Sequence, residues 1–564
     1  MNSIPGESRG MVKSSHDLAT MAGQDILRQG GNAVDAAVAA GFALSVVHPV
    51  AGGIGGGGFA VIRLAGGQQA VLDFRDRAPF RAFRDMYLGP DGEVIPELSL
   101  IGHRAAAVPG CVAGFCALRD RFGRLPLGEL MGPAIRLARE GFTISPQQEL
   151  TLVSESGHFN RFAGSRNYFL KPGGEPYRSG DRLVQEDLAK TLERIAAEGA
   201  AAFYTGAVAD LILRDMAENQ GLFTAEDLAA YQALWREPLR GSYRGYDIIT
   251  PGPPAGGIQV IQILNILESA DLKALGAGSP RAIHLLAEAM RYAFADRSEY
   301  LGDPDFTAVP VEGLIAKDYG QYRYGRIRKN HNRALPSAEV RPGFGPLKGG
   351  THTTHYSVVD GEGSAAAITY TINDWYGSRV AVPGAGFLLN NSMDDFVSKP
   401  GVSNLFGLVG GEANSIAGGK RPLSCMSPAI LLKGERLFLV LGSPGGSRII
   451  TTVLQVISNV IDHGMGIAEA VAFPRVHMQW QPDELRYEPG GLAPGTAREL
   501  EAMGYSLAEK SPMGDVNAIM ADPETGALCG AGDPRRQHWS AYRDIPAGDG
   551  VDEAACNISE NYPE

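Results

Sequence analysis

The sequence predicts a mixed α/β protein of the α+β kind, with helices gathered in its first half and paired strands in its second. Three observations lead there. Between about 110 and 300 the apolar residues recur mostly at helical spacing, as over 188–197 and 280–301. Beyond 353 short strand-like runs alternate with turns, at 355–359, 365–373, 429–432 and 437–441. Between the two, from about 328 to 352, periodicity disappears and the chain closes on Lys348-Gly349-Gly350, which makes this the best internal boundary. With 564 residues, 44% of them hydrophobic, the chain has material for two domains or one unusually large one.

Taken in order, 17–29 reads as a helix ended by Gly30-Gly31, and Asn32 caps a second, Ala-rich helix that runs to Val47 and stops at His48-Pro49. A glycine run, Gly52 to Gly58 broken only by Ile54, leads into strands 59–64 and 70–75 around Gly66-Gly67. Past the boundary, helices are expected at 448–461 and 466–472, and the acidic tail after Ala541 is expected to be disordered. The longest apolar run, 36–47, is too short to cross a bilayer. The first eleven residues carry no apolar core of a signal peptide, so the chain as written is expected in the cytoplasm, or in the periplasm or outside the cell if a signal was removed. A net charge of −12 repels phosphate backbones and argues against nucleic acid as a partner. The five cysteines are odd in number and fit no metal or redox spacing, so unpaired thiols are expected.

Three motifs could carry chemistry. The glycine run contains a G-x-G-x-x-G pattern, but a helix precedes it and a strand follows, the reverse of a dinucleotide site. Close backbone packing under a site, or a tight turn, is the better reading. The loop Gly442-Ser443-Pro444-Gly445-Gly446-Ser447 joins an apolar strand to a strong helix, where free N–H groups could form an oxyanion hole or simply turn the chain. It is not a G-x-S-x-G elbow, because Leu441 stands where the first glycine should be.

The third motif is Thr351-His352-Thr353-Thr354-His355, a Gly-Lys loop feeding a strand rich in hydroxyls. His352 and His355 would fall on opposite faces of that strand, and no acidic third ligand is near, so no metal is expected. A Thr-rich edge strand is the plain alternative. If the hairpin turns at Glu362, Thr353 faces Thr371 across the ladder, with Asn373 just beyond.

Nearly the whole chain, from Gly10 to about Tyr542, resembles the gamma-glutamyltransferase (gamma-glutamyl transpeptidase) family, a branch of the N-terminal nucleophile hydrolases. The stretches that carry the resemblance include GGNAVDAAVAAGFALSVVHP, LDFRDRAP, EYLGDPDF, TTHYSVVD, LLNNSMDDF, KRPLSCMSP and GSPGGSRIITTVLQ. The resemblance implies a four-layer αββα sandwich and self-cleavage between His352 and Thr353, into a large subunit 1–352 and a small subunit 353–564 that remain a heterodimer. It implies that Thr353 is the nucleophile, that Thr371 holds it, and that Gly445 and Gly446 form the oxyanion hole. It places Arg75 and Ser424 at the substrate α-carboxylate and Asp395 and Asn373 at the α-amine. No cofactor is implied. The expected activity is transfer of the gamma-glutamyl group of glutathione or a gamma-glutamyl amide to water or an amine.

Four positions depart from what relatives carry. Ser392 stands where a Gln or Glu is frequent, Cys425 replaces a second Ser at the carboxylate, Phe406 in the lid-like stretch lacks a hydroxyl, and His352 precedes the cleaved bond where relatives vary. Two rival expectations follow: a glutaryl or cephalosporin acylase of the same family, against which Asp395 speaks, and an unprocessed, non-enzymatic binding relative.

Overall fold

The computed structural model describes residues 10–95, 97–340, 353–402, 404–405, 408 and 410–536. Thr351, His352, Phe406 and the acidic tail beyond Ala541 lie outside them.

The first hairpin after the boundary forms where the sequence placed it. Strands Thr354–Val359 and Ala365–Thr371 pair antiparallel, with Ala365 opposite Val359 and Tyr370 opposite Thr354, the register that brings Thr353 toward Thr371. The turn is set by Asp360, whose carboxylate accepts from the N–H groups of Glu362 and Ser364 at 3.0 and 2.9 Å. The hairpin is not an edge. Met11–Ser14 pairs with one side of it and Gly57–Arg63 with the other. Gln69–Phe74 and Leu234–Arg236 complete an antiparallel sheet of six strands.

A second antiparallel sheet of six runs Leu528–Gly532, Asn517–Ala521, Arg436–Leu441, Ala429–Lys433, Tyr246–Thr250 and Leu239–Tyr243. The two sheets lie face to face. Val61, Val71, Val359 and Ala367 of the first meet Ile249, Ile430, Val440 and Ile519 of the second in one buried cluster. Because strand side chains alternate, Ala60, Ile62 and Ile368 point the other way, into a core with the buried helix Ala33–Val47. On the far side, Leu431, Leu439 and Leu441 pack with Val453, Leu454 and Ile457 of the helix Arg448–Ile461. Central strands buried on both faces explain why they read as continuous apolar runs rather than alternating ones.

Helix boundaries follow their caps. Asn32 accepts from the N–H groups of Val34 and Asp35 while Asp35 accepts from Asn32 N–H, a reciprocal capping box. The region 110–300 departs from its helical expectation at 234–250, which supplies three short strands. Leu234–Arg236 is half-buried, whereas Tyr243 and Ile248 to Thr250 are buried, and one turn between the strands places both Arg244 (φ 48°) and Gly245 (φ 81°) in the left-handed region. Arg-Gly carries no familiar hairpin signature. Arg244 tolerates the conformation because its guanidinium is fixed by the Asp462 carboxylate and the Ala270 carbonyl. The cysteine expectation also needs correction: Cys111, Cys116 and Cys425 are free and buried, but Cys529 is disulfide-bonded. No helix among the described residues is long and apolar enough to cross a membrane.

Candidate active site

The glycine run packs against the hairpin. A Cβ on Gly56 would sit 1.9 Å from the Thr371 carbonyl oxygen, and one on Gly55 would sit 2.0 Å from that of Leu388. Only glycine permits that approach. Helix Ala33–Val47 precedes the run and strand Gly57–Arg63 follows it, the order that argued against a dinucleotide site.

Just beyond this contact a narrow cavity opens. It is lined by Thr353, Thr371, Asn373, Asp395, Ser424, Cys425 and Gly446, seven of the residues expected at the site, together with Arg297, Leu408, Leu423 and Ile449. Thr353 is buried at 6% exposure at the head of its strand. Thr371 Oγ1 accepts from Asn373 N–H at 2.8 Å, and Asn373 is held in the left-handed region (φ 80°). Its side-chain amide donates to the Asn391 carbonyl at 3.1 Å. Ser424 donates its backbone N–H to the Pro254 carbonyl at 2.7 Å, and its Oγ accepts from Met426 N–H at 3.1 Å. Gly445 (φ 134°) and Gly446 (φ 58°) turn the chain between strand Arg436–Leu441 and helix Arg448–Ile461.

Under that turn sits His355. A Cβ on Gly442 would lie 2.4 Å from its Nδ1. The ring shares hydrogen bonds with Thr369 Oγ1 at 2.8 Å and Ser357 Oγ at 3.0 Å, and burial lowers its pKa to about 3. It is a neutral packing residue. Ser443 is turned away into the fold, donating to the Pro444 carbonyl at 2.7 Å and accepting from Asp515 N–H at 3.0 Å.

Arg75 joins the expected residues through its bond to Asp395 rather than through the cavity wall. It is fully buried behind Asp395, and the cavity is not lined by it. Each of its guanidinium nitrogens is engaged. Nη2 donates to the Asp395 carboxylate, Nη1 to Asp76 at 2.9 Å and Ser392 Oγ at 3.3 Å, and Nε to the Pro422 carbonyl at 3.3 Å. Ser392 Oγ in turn donates to Asp76 at 2.8 Å. Burial raises the Asp76 carboxyl to about 7 and that of Asp395 to about 6, and the positive charge of Arg75 opposes both shifts.

Three contributors were not singled out from sequence. Asp76 is next to Arg75 in the quoted DFRD stretch, but adjacency along the chain does not by itself make it that arginine's counter-ion, which the structure does. Asn390 ties the region together through Gly55 and Ala107, donating to their carbonyls at 2.8 and 2.7 Å. Arg297 gave a weaker signal, a charge on the buried face of a helix that also buries Glu288, Arg291 and Asp296.

Comparison with known proteins gives the family. Residues 19–542 match the gamma-glutamyltranspeptidase family. The chain is 50% identical over 529 residues to the glutathione hydrolase proenzyme of Escherichia coli strain K12, covering 93% of this chain and 90% of that one. Its fold is similar to the crystal structure of cephalosporin acylase from Bacillus halodurans (TM-score 0.83, 28% identity, 95% of this chain and 96% of that one). It is similar also to the Helicobacter pylori gamma-glutamyltranspeptidase structure (TM-score 0.59, 49% identity, 62% of this chain and 98% of that one). The chain belongs to the gamma-glutamyltranspeptidase family.

Proposed function

We propose that this protein is a self-processing gamma-glutamyltransferase and glutathione hydrolase that works through an ester on Thr353. The observation that carries this reading is the burial of Thr353 in one cavity with Thr371, Asn373, Asp395, Ser424 and Gly446. Family membership and the similarity to a glutathione hydrolase proenzyme support it. The two stacked sheets with helices on both outer faces fit the four-layer αββα sandwich of N-terminal nucleophile hydrolases.

In the maturation step the Thr353 hydroxyl attacks the carbonyl carbon of His352. The peptide C–N bond breaks, the amine takes a proton, and the resulting ester is opened by water. Thr353 then carries a free α-amine whose ordinary pKa is near neutral, so it can accept the proton of its own hydroxyl. In turnover that hydroxyl attacks the γ-carbonyl of the donor, the amine leaves protonated, and the acyl ester passes to water or to an incoming amine. Gly445 and Gly446 are proposed to receive the developing oxyanion.

The donor's zwitterionic carbon is proposed to meet Asp395 and Asn373 with its ammonium and Ser424 with its carboxylate. Reaching Arg75 requires the Arg75–Asp395 pair to open and admit the opposite charges of the substrate between them. Similarity to a cephalosporin acylase keeps a second reading in view, a glutaryl acylase. A glutaryl donor has the carboxylate and lacks the amine, so it gives Asp395 no ammonium to meet. The test is kcat/KM for gamma-glutamyl-p-nitroanilide against glutaryl-p-nitroanilide. The transferase reading requires a preference for the gamma-glutamyl donor, and a preference for glutaryl decides for the acylase.

A further inference from the structure

The strand below Thr353 is tied to the opposite sheet at Asn517. Met11–Ser14 pairs with Thr354–Val359 from Met11 opposite Val359 to Ser14 opposite Tyr356, and the pairing stops there, short of Thr353. Beyond that point side chains join in. Asn517, the first residue of strand Asn517–Ala521, reaches across from the second sheet. It is buried, and its Nδ2 donates to the His355 carbonyl at 3.1 Å, to Ser15 Oγ at 3.2 Å and to the Asp515 carbonyl at 3.3 Å. Ser15 Oγ also accepts from Thr354 Oγ1 at 3.3 Å. Two of the three acceptors of the amide are carbonyls, which cannot donate, so its nitrogen and not its oxygen must face them.

The same short piece of backbone also holds the glycine turn. Asn517 N–H donates to the Gly442 carbonyl at 3.4 Å. Two residues earlier, Asp515 N–H donates to Ser443 Oγ at 3.0 Å, and that hydroxyl donates to the Pro444 carbonyl at 2.7 Å. Gly445 and Gly446 follow directly. Residues 515–517 therefore bond both the strand under Thr353 and the loop that leads into Gly445-Gly446. A nucleophile and its oxyanion donors must keep a fixed separation, and a misplacement of about 1 Å can cost about a hundredfold in rate. Self-cleavage sharpens that demand, because the covalent chain then reaches Thr353 from the strand side alone.

We propose that Asn517 is a positioning residue that, through its bond to the His355 carbonyl, sets Thr353 against the Gly445-Gly446 turn for both self-cleavage and acyl transfer. This rests on the reading of Thr353 as the nucleophile.

The test compares the full chain as wild type, Asn517→Leu, Asn517→Gln and Ser357→Ala. Leucine keeps the shape and removes the donor, and glutamine keeps a donor on a longer arm. Ser357 Oγ donates to the Asn517 carbonyl at 2.8 Å, so Ser357→Ala breaks another buried bond between the same two strands, farther from Thr353. The readouts are Tm, the first-order rate of self-cleavage on gels, and kcat and KM for gamma-glutamyl-p-nitroanilide counted per cut chain. Asn517→Leu should slow self-cleavage and lower kcat by about ten- to a hundredfold each, with KM within about twofold of wild type. Ser357→Ala should lower the Tm similarly yet keep both rates within about threefold. Asn517→Gln should lie between wild type and Asn517→Leu in both rates, and it decides alone if the leucine variant does not fold. Wild-type rates in the Asn517 variants, a loss carried by KM rather than kcat, or an equal loss in Ser357→Ala overturns the proposal. An active Thr353→Ala sinks the nucleophile reading itself, whereas wild-type rates in the Asn517 variants beside an inactive Thr353→Ala sink only this proposal.

Discussion

Asp395 must be ionised to hold an ammonium, yet burial raises its pKa from 3.8 to about 6. The acid limb of kcat/KM for gamma-glutamyl donors should therefore fall about tenfold per pH unit below about 6. Asp395→Asn should abolish that inflection and lower kcat/KM at neutral pH, and a pH–rate profile of both proteins checks it. Stability runs the opposite way. A carboxyl raised in the folded state contributes stability below about pH 4 that is lost as pH climbs past about 6. Much of this residue scale was legible: the hydroxyl pair, Asp395, Asn373 and Ser424 do meet in one cavity. What was not legible was who partners whom. The resemblance implies Arg75 at the substrate carboxylate, and the fold adds that its guanidinium is bonded to Asp76, Ser392 and Asp395. Ionic partners depend on side-chain distances that spacing along the chain does not encode.

At the scale of elements, the site depends on how closely the glycine run approaches the hairpin. Gly56→Ala places a methyl 1.9 Å from the Thr371 carbonyl oxygen, and backbone there cannot yield cheaply. Overpacking of this kind costs about 1–3 kcal/mol. The expected result is a Tm lowered by a few degrees together with slowed self-cleavage, read by calorimetry and by gel; unchanged processing would mean that the contact does not position Thr371. The hairpin register and the caps at Asn32 were readable because turn chemistry and capping are local. Strands Leu234–Arg236, Leu239–Tyr243 and Tyr246–Thr250 were not, because their strand character comes from pairing with distant partners. Met11–Ser14 was missed for the same reason, since it gains its place from Thr354–Val359.

Across the whole molecule, each six-stranded sheet mixes strands from before residue 352 and after 353. Gly57–Arg63 is hydrogen-bonded to Ala365–Thr371, and Tyr246–Thr250 to Ala429–Lys433. A chain cut at His352-Thr353 should therefore remain one particle. The two fragments should co-elute in native size exclusion and part only in denaturant, and fragments that separate under native conditions would contradict that. The mixing of the two segments was not visible along the chain, where the boundary near 328–352 looked like the edge between two folding units. The central claim, that Thr353 becomes an N-terminal nucleophile, is tested most directly by intact mass and N-terminal sequencing of wild type and Thr353→Ala at neutral pH. Wild type should give a fragment beginning at Thr353 and cleave gamma-glutamyl-p-nitroanilide, while Thr353→Ala stays a single inactive chain. An uncut wild type with full activity, or an active Thr353→Ala, would contradict it.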